Sequence, residues 1–187
     1  MIVSEEIGPK EAEFIDAQRM FFVATAPLSA DGHVNVSPKG YTSFARLGAR
    51  RVAYVDLGGS GIETHAHLRE NGRICLMFCA FEGEPLILRL YGEGRAHQYG
   101  TAEYETLRGH FPEIDVPVRG IIDVSLTRIQ RSCGWGVPNF DYVGDRDVLM
   151  KYNAKRTQAE FMARRIAANA SSIDGLPGLD NPDPQPS

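Results

Sequence analysis

Residues 51–81 read RVAYVDL, then GGSG, then IETHAHLREN, then Gly72 and RICLMFCAF, and this run decides the fold. Arg51 to Leu57 is dense in strand formers, and the cluster Gly58-Gly59-Ser60-Gly61 stops it at once. Ile62 to Asn71 holds helix formers, with Ile62, Ala66 and Leu68 directed inward, and Asn71-Gly72 ends that helix. Arg73 to Phe81 is almost continuously apolar, as expected of a central strand. The unit is strand, glycine turn, short helix, strand.

Upstream, Met20 to Ala26 (MFFVATA) stops at Pro27, and LSADG supplies turn chemistry. His33 to Lys39 (HVNVSPK) alternates, so the two runs form a hairpin; Tyr41 to Leu47 comes next, ahead of the strong strand candidate Arg51 to Leu57. Pro9 opens a short first helix with Ala12, Ile15 and Arg19 at near-helical spacing. Downstream, Leu86 to Tyr99 is a long strand in which Gly92 and Gly94 mark a bulge or sharp bend. Thr101 to Phe111 reads as a helix, and Gly120 to Gln130 alternates as a strand. Asp147 to Ala170 reads as one longer C-terminal helix. The tail from about residue 171 is rich in Gly, Pro and Asp; it is expected to lie extended on the surface and to end in disorder. Strands adjoin strands for most of the chain, which disfavours a parallel α/β sheet. The expectation is a mainly β (α+β) fold: a six-stranded antiparallel split β-barrel with flanking helices, in one domain spanning residues 1–187.

Composition excludes several functions. Net charge is −4 and pI about 5.7, which offers no electrostatic footprint for nucleic acid or for an anionic membrane. No apolar run approaches the roughly 18 residues of a membrane span, and the acidic start lacks a signal-peptide layout, so a cytoplasmic protein is expected. The three cysteines are too few for a disulfide scaffold; Cys75 and Cys79 share a strand face and read as buried, inert thiols.

The chemistry concentrates at the glycine turn. Backbone N–H groups at a helix start favour an anion, and Ser60 and Thr64 add hydroxyls. The plainer reading is a tight turn with Ser60 as a cap; GGSGIE is not G-x-G-x-x-G and no βαβ unit surrounds it. Lys39 ends a strand beside Gly40, where a cation reaches a phosphate or a planar ring, or is simply solvated. Arg89, inside LILRLYG, either points outward or pairs with an anion. His65 and His67 lie roughly 200° apart on a helix, which opposes a shared metal ion, and no metal site is expected. Cys133 sits in SCGWG; Trp135 between two glycines suits stacking on a planar ring.

FFVATAPLSADGHVNVSPKGY, VAYVDLGGSGIETHAHLRENGRICLMFCAF and LRLYGEGRAH together resemble the FMN-binding split barrel of the pyridoxamine 5′-phosphate oxidase-like superfamily, over roughly residues 14–100. SCGWGVPNFDY and SIDGLPGL resemble one bacterial subgroup of it. The resemblance implies a homodimer with FMN at the interface and a small-molecule substrate. Ser37, Pro38, Lys39 and Gly40 would line the flavin, with Tyr54, Val55 and Asp56 adding contacts. The phosphate would sit by Ser60, Gly61 and Thr64, with Arg89 near. Ser132, Cys133, Gly134, Trp135 and Gly136 would close over the ring from the second subunit. One departure stands out: the oxidases carry an Arg-Lys pair where this chain has Glu63-Thr64, so oxidation of pyridoxamine phosphate is not the expected activity. The implied function is an FMN-dependent oxidoreductase; the alternatives are flavin or haem sensing without turnover, or a deazaflavin-dependent reductase. Haem would need His33, His65, His67, His97 or Cys133 as a ligand.

Overall fold

The computed structural model describes residues 2–181. One antiparallel sheet organises them. Its strands are β1 (Ile2–Ser4), β2 (Phe21–Thr25), β3 (Asn35–Lys39), β4 (Phe44–Gly48), β5 (Arg51–Asp56), β6 (Arg73–Cys79), β7 (Leu86–Gln98) and β8 (Gly120–Cys133). The order is β3-β2-β6-β7-β8-β5-β4, with β1 also on β8. The sheet therefore has eight strands rather than six, and its ends, β3 and β4, do not pair with each other. The count rose because Tyr41–Leu47 supplies its own strand and because three residues at the amino end pair with the distant β8.

Alternation within the strands explains the core. In β2, β6 and β7 the buried set is Phe21, Val23, Leu76, Phe78, Leu88 and Leu90; the intervening Phe22, Cys75, Met77, Arg89 and Tyr91 remain half-buried. The buried set meets Val52, Tyr54, Ile122 and Val124 inside the curled sheet, where Phe21 makes aromatic edge contacts with Phe44 and Tyr54. The opposite face of β5 and β8 offers Ala53, Val55 and Ile121 to a second cluster with Tyr104, Leu107 and Phe111. Because β5 is covered on both sides, RVAYVD reads as a continuous apolar run. The bend foreseen in the long strand is real: the β7–β8 register shifts between Tyr91 and Gly92. A Cβ on Gly92 would lie 2.2 Å from the Ser125 carbonyl oxygen, so only glycine permits this approach.

The helices are α1 (Pro9–Ala17), α2 (Glu63–Asn71), α3 (Ala102–Arg108), α4 (Val148–Asn153) and α5 (Gln158–Ala168). The single C-terminal helix expected over 147–170 is thus two. Asn153 ends α4 by turning inward, where its amide donates to the Leu57 and Pro117 carbonyls. Thr157 then caps α5, accepting from the Glu160 amide while the Glu160 carboxylate accepts from Thr157. The tail is also corrected: residues 171–180 fold back through a Ser171–Pro177 bridge, Leu179 is buried, and Asp180 pairs with Arg69. The end expected to be disordered lies outside the described residues. No helix among the described residues is long and apolar enough to cross a membrane.

Candidate functional site

The site begins with the alternation of β3. Asn35, Ser37 and Lys39 are half-buried on one face, while Val36 and Pro38 are exposed. The strand ends at Gly40, and Tyr41 turns the chain with φ +60, the left-handed region that a bulky residue occupies at a cost of about 1 kcal/mol or more. Tyr41 is held there by its hydroxyl, which donates to the Arg146 carbonyl at 2.6 Å. Opposite this turn, β5 delivers Val55 and Asp56 and leads into Leu57, Gly58 and Gly59. The two segments enclose a cleft of about 180 Å³, closed on a third side by Leu149.

Asp56 is the electrostatic centre. Its Oδ2 accepts from His65 Nε2 at 2.7 Å and Arg119 Nε at 2.9 Å, and its Oδ1 from the Gly58 amide at 3.0 Å. Burial alone would raise this carboxyl; Arg119, His65 and Lys39 outweigh it and hold it well below the usual carboxylate range. Burial pushes the His65 imidazole down, offset only in part by Asp56, and the hydrogen bond to a carboxylate oxygen puts a proton on Nε2. Gly58 adopts φ +77 and any Cβ would strike Phe161 at 2.6 Å, so α5 packs directly on the turn that Asp56 fixes.

Lys39 faces this cleft with no ion pair among the described residues. Burial lowers its pKa, and Asp56 offsets that only in part. Ser37 Oγ, two residues before it on the same face, is buried and has no hydrogen-bond partner. A desolvated cation and an orphan hydroxyl on one face are the donor set of a ligand with anionic or acceptor character.

Of the residues singled out from sequence, Pro38, Lys39, Gly40, Val55 and Asp56 come together at this cleft. Tyr54 does not: it is 1% exposed and packs in the interior against Phe21. Ser60 and Gly61 open on a different cavity of about 590 Å³, shared with Asn35, Glu63 and Ser172. There the Thr64 hydroxyl accepts from Asn35 at 3.1 Å, and the Glu63 carboxylate lies over Gly61 and accepts from the Ile173 amide. The start of α2 therefore already carries a carboxylate. Arg89 lies on the half-exposed sheet face and donates to Ser132 Oγ at 3.0 Å. Cys133 is exposed, Gly134 packs on the Leu86 backbone, and Trp135 is 84% exposed, so within one chain the 132–136 segment stands apart from the cleft. Burial raises the other two thiols, Cys75 to about 11; Cys79 is buried as expected, whereas Cys75 is only half-buried. Three of the candidate haem ligands are engaged: His33 with Asp174, His65 with Asp56 and His67 with Thr25.

Sequence reading missed Arg119, His65 as a partner of Asp56, and Tyr41. An aspartate closing an apolar strand was the available signal, since a buried carboxylate requires a cation.

The family model described as pyridoxamine 5′-phosphate oxidase matches residues 7–114. A curated relative, the pyridoxamine 5′-phosphate oxidase family protein ustO of Aspergillus flavus, is 37% identical over 199 residues, covering 95% of this chain and 78% of that protein. The crystal structure of Group A Streptococcus HupZ shares the fold, with TM-score 0.51 and 21% identity over 72% of this chain and 99% of that one. A histidine-to-alanine variant of the same streptococcal protein matches at TM-score 0.51 and 22% identity, over 67% of this chain and 99% of that one. With more than half of the chain matched by the family model and nearly all of it by the relative, the chain belongs to the pyridoxamine 5′-phosphate oxidase family.

Proposed function

We propose that this protein holds FMN in the Lys39 cleft, completed by a second copy of the chain, and acts as an FMN-dependent oxidoreductase on a small molecule in the cytoplasm. The observation that carries the reading is Lys39: a partly desolvated cation with no ion pair among the described residues, beside a buried Ser37 hydroxyl that has no hydrogen-bond partner among them. Family membership supports a redox role. A bound flavin supplies a hydride and electron carrier, so the protein's part is binding, orientation and electrostatics.

The residues divide that work. Lys39 offers a cation in a low-dielectric wall, where its field is stronger than in water. Ser37 and the Gly40 turn give hydrogen-bonding backbone and hydroxyl along the same edge. Asp56 fixes the Gly58 turn and keeps Arg119 and His65 in place. Trp135, too exposed to serve its own subunit's core, is available to cover a ring bound in the partner.

The absorption spectrum of purified protein titrated with FMN tests this. A shifted flavin band with saturable fluorescence quenching is expected. A colourless protein that takes up no FMN ends the reading, and a Soret band would replace it with haem binding.

A further inference from the structure

A phosphorylated cofactor needs a place for its dianion, and the obvious one is taken. At the start of α2 the Glu63 carboxylate lies over Gly61, and Asp174 stands beyond it, paired with His33. A dianion there would face like charge. Cations gather on the other side of the glycine turn instead. Arg156, Arg164 and Arg165 line one small cavity of about 70 Å³ with Tyr152 and Phe161. That is roughly the space of two waters in the liquid, suited to a single small oxyanion.

These arginines are placed by packing rather than by carboxylates. Arg165 lies over the Phe161 ring at 5.1 Å and donates to the Gly59 carbonyl at 2.8 Å. Arg156 lies over the Tyr152 ring at 4.4 Å and donates to the Tyr152 carbonyl. None of the three forms an ion pair among the described residues; Glu160, the nearest acid on α5, uses its carboxylate to cap Thr157. Burial, then the charge of Arg119, pushes the Arg165 guanidinium down from its ordinary value. Converging cations with no anion between them are unfavourable until one arrives. The position also suits the cofactor: Gly59, whose carbonyl Arg165 binds, lines the Lys39 cleft as well.

We propose that Arg156, Arg164 and Arg165 form an oxyanion site that receives the phosphate monoester of the flavin as it runs past the Gly58–Gly59 turn from the Lys39 cleft. This rests on the flavin reading above. A helix outside the matched family segment thus supplies the charge that the start of α2 lacks.

FMN and riboflavin, which lacks the phosphate, separate the two claims. Wild-type protein is expected to bind FMN about 100-fold more tightly than riboflavin, by quenching of flavin fluorescence. Arg164→Gln, which removes no side-chain hydrogen bond among the described residues, should weaken FMN about tenfold and leave riboflavin unchanged. Arg164→Gln with Arg165→Gln should abolish the preference. A preference that survives the double variant, or one that grows in Glu63→Gln, overturns the proposal in favour of the start of α2. Inorganic phosphate gives an arm that needs no flavin. It should raise the wild-type Tm above that in chloride at equal ionic strength, and not raise that of the double variant. Protein that binds neither flavin refutes the flavin reading; the phosphate melts then decide the arginine site, which fails if wild type shows no rise.

Discussion

Asp56 ends a strand of apolar neighbours at 5% exposure and remains ionised because three donors converge on it. Its pH linkage has a definite sign. The folded carboxyl titrates below its unfolded value of about 3.9, so its stabilisation is present above that value and is lost as pH falls further. His65 acts in the same direction from higher pH. Its folded pKa lies below the unfolded value of about 6.5, so the unfolded state binds more protons in that window. Thermal melts should show Tm falling in two stages on acidification, the first beginning near pH 6.5. Burial pushes the His67 imidazole down as well, so His65→Gln should shrink the first stage, leaving the part that belongs to His67, and leave the second unchanged; a first stage of undiminished size in that variant would contradict the assignment. Lys39 carries the opposite burden, since its charge is desolvated at neutral pH. Lys39→Met is therefore expected to raise the Tm of the ligand-free protein by about 2–4 °C while weakening FMN in the fluorescence titration. A variant that lost stability as well as binding would mean that Lys39 is structural.

At the scale of elements, Gly92 gives the sharpest test. The Ser125 carbonyl stands where its Cβ would be, and backbone cannot swing aside as a side-chain tip can. Gly92→Ala should cost about 2 kcal/mol or more by urea denaturation, whereas Gly48→Ala, with open space at the same atom, should cost far less. The bulge was legible because glycine inside an otherwise β-forming run has few other uses. The break between α4 and α5 was legible too, in Thr157 and Glu160, but apolar spacing from Leu149 to Ile166 ran across it and prevailed. The strand at Ile2–Ser4 was not legible: it has three residues and exists only through its register with Ile129 to Arg131. The site divides the same way. Lys39 stood out as a cation closing an alternating strand. Arg119 did not, because its pairing with Asp56 spans 63 residues and depends on the register of β5 against β8. The glycine turn was seen as an anion cradle, yet a local pattern could not show that the Glu63 side chain would fold back over it.

The whole molecule raises the question of what covers its other face. Phe22, Met77, Arg89 and Gln130 stand in one cross-strand row, and Ala24, Cys75 and Tyr91 in the next, all half-buried on the side of the sheet away from the main core. Beyond the rim, Val36 on the edge strand and Val34 just before it are 60% and 70% exposed, and Trp135 is 84% exposed. A mainly apolar face that carries Arg89 and Gln130 suits the second copy proposed above, and a self-complementary C2 contact is the commonest arrangement. Such a contact would need to bury roughly 1,200–2,000 Å² to hold stably. For the proposed site it would also have to carry a partner's 132–136 segment to the cleft. Light scattering should therefore give twice the chain mass of 20.6 kDa. Met77→Lys sets a second cation beside Arg89, and in a symmetric interface every such charge meets its own copy. The variant should run as a monomer, keep its far-UV spectrum, and lose FMN at concentrations that saturate wild type. A monomeric wild type that still binds FMN would separate the cofactor from the interface; a dimeric Met77→Lys would move the interface to the exposed edge strand β3.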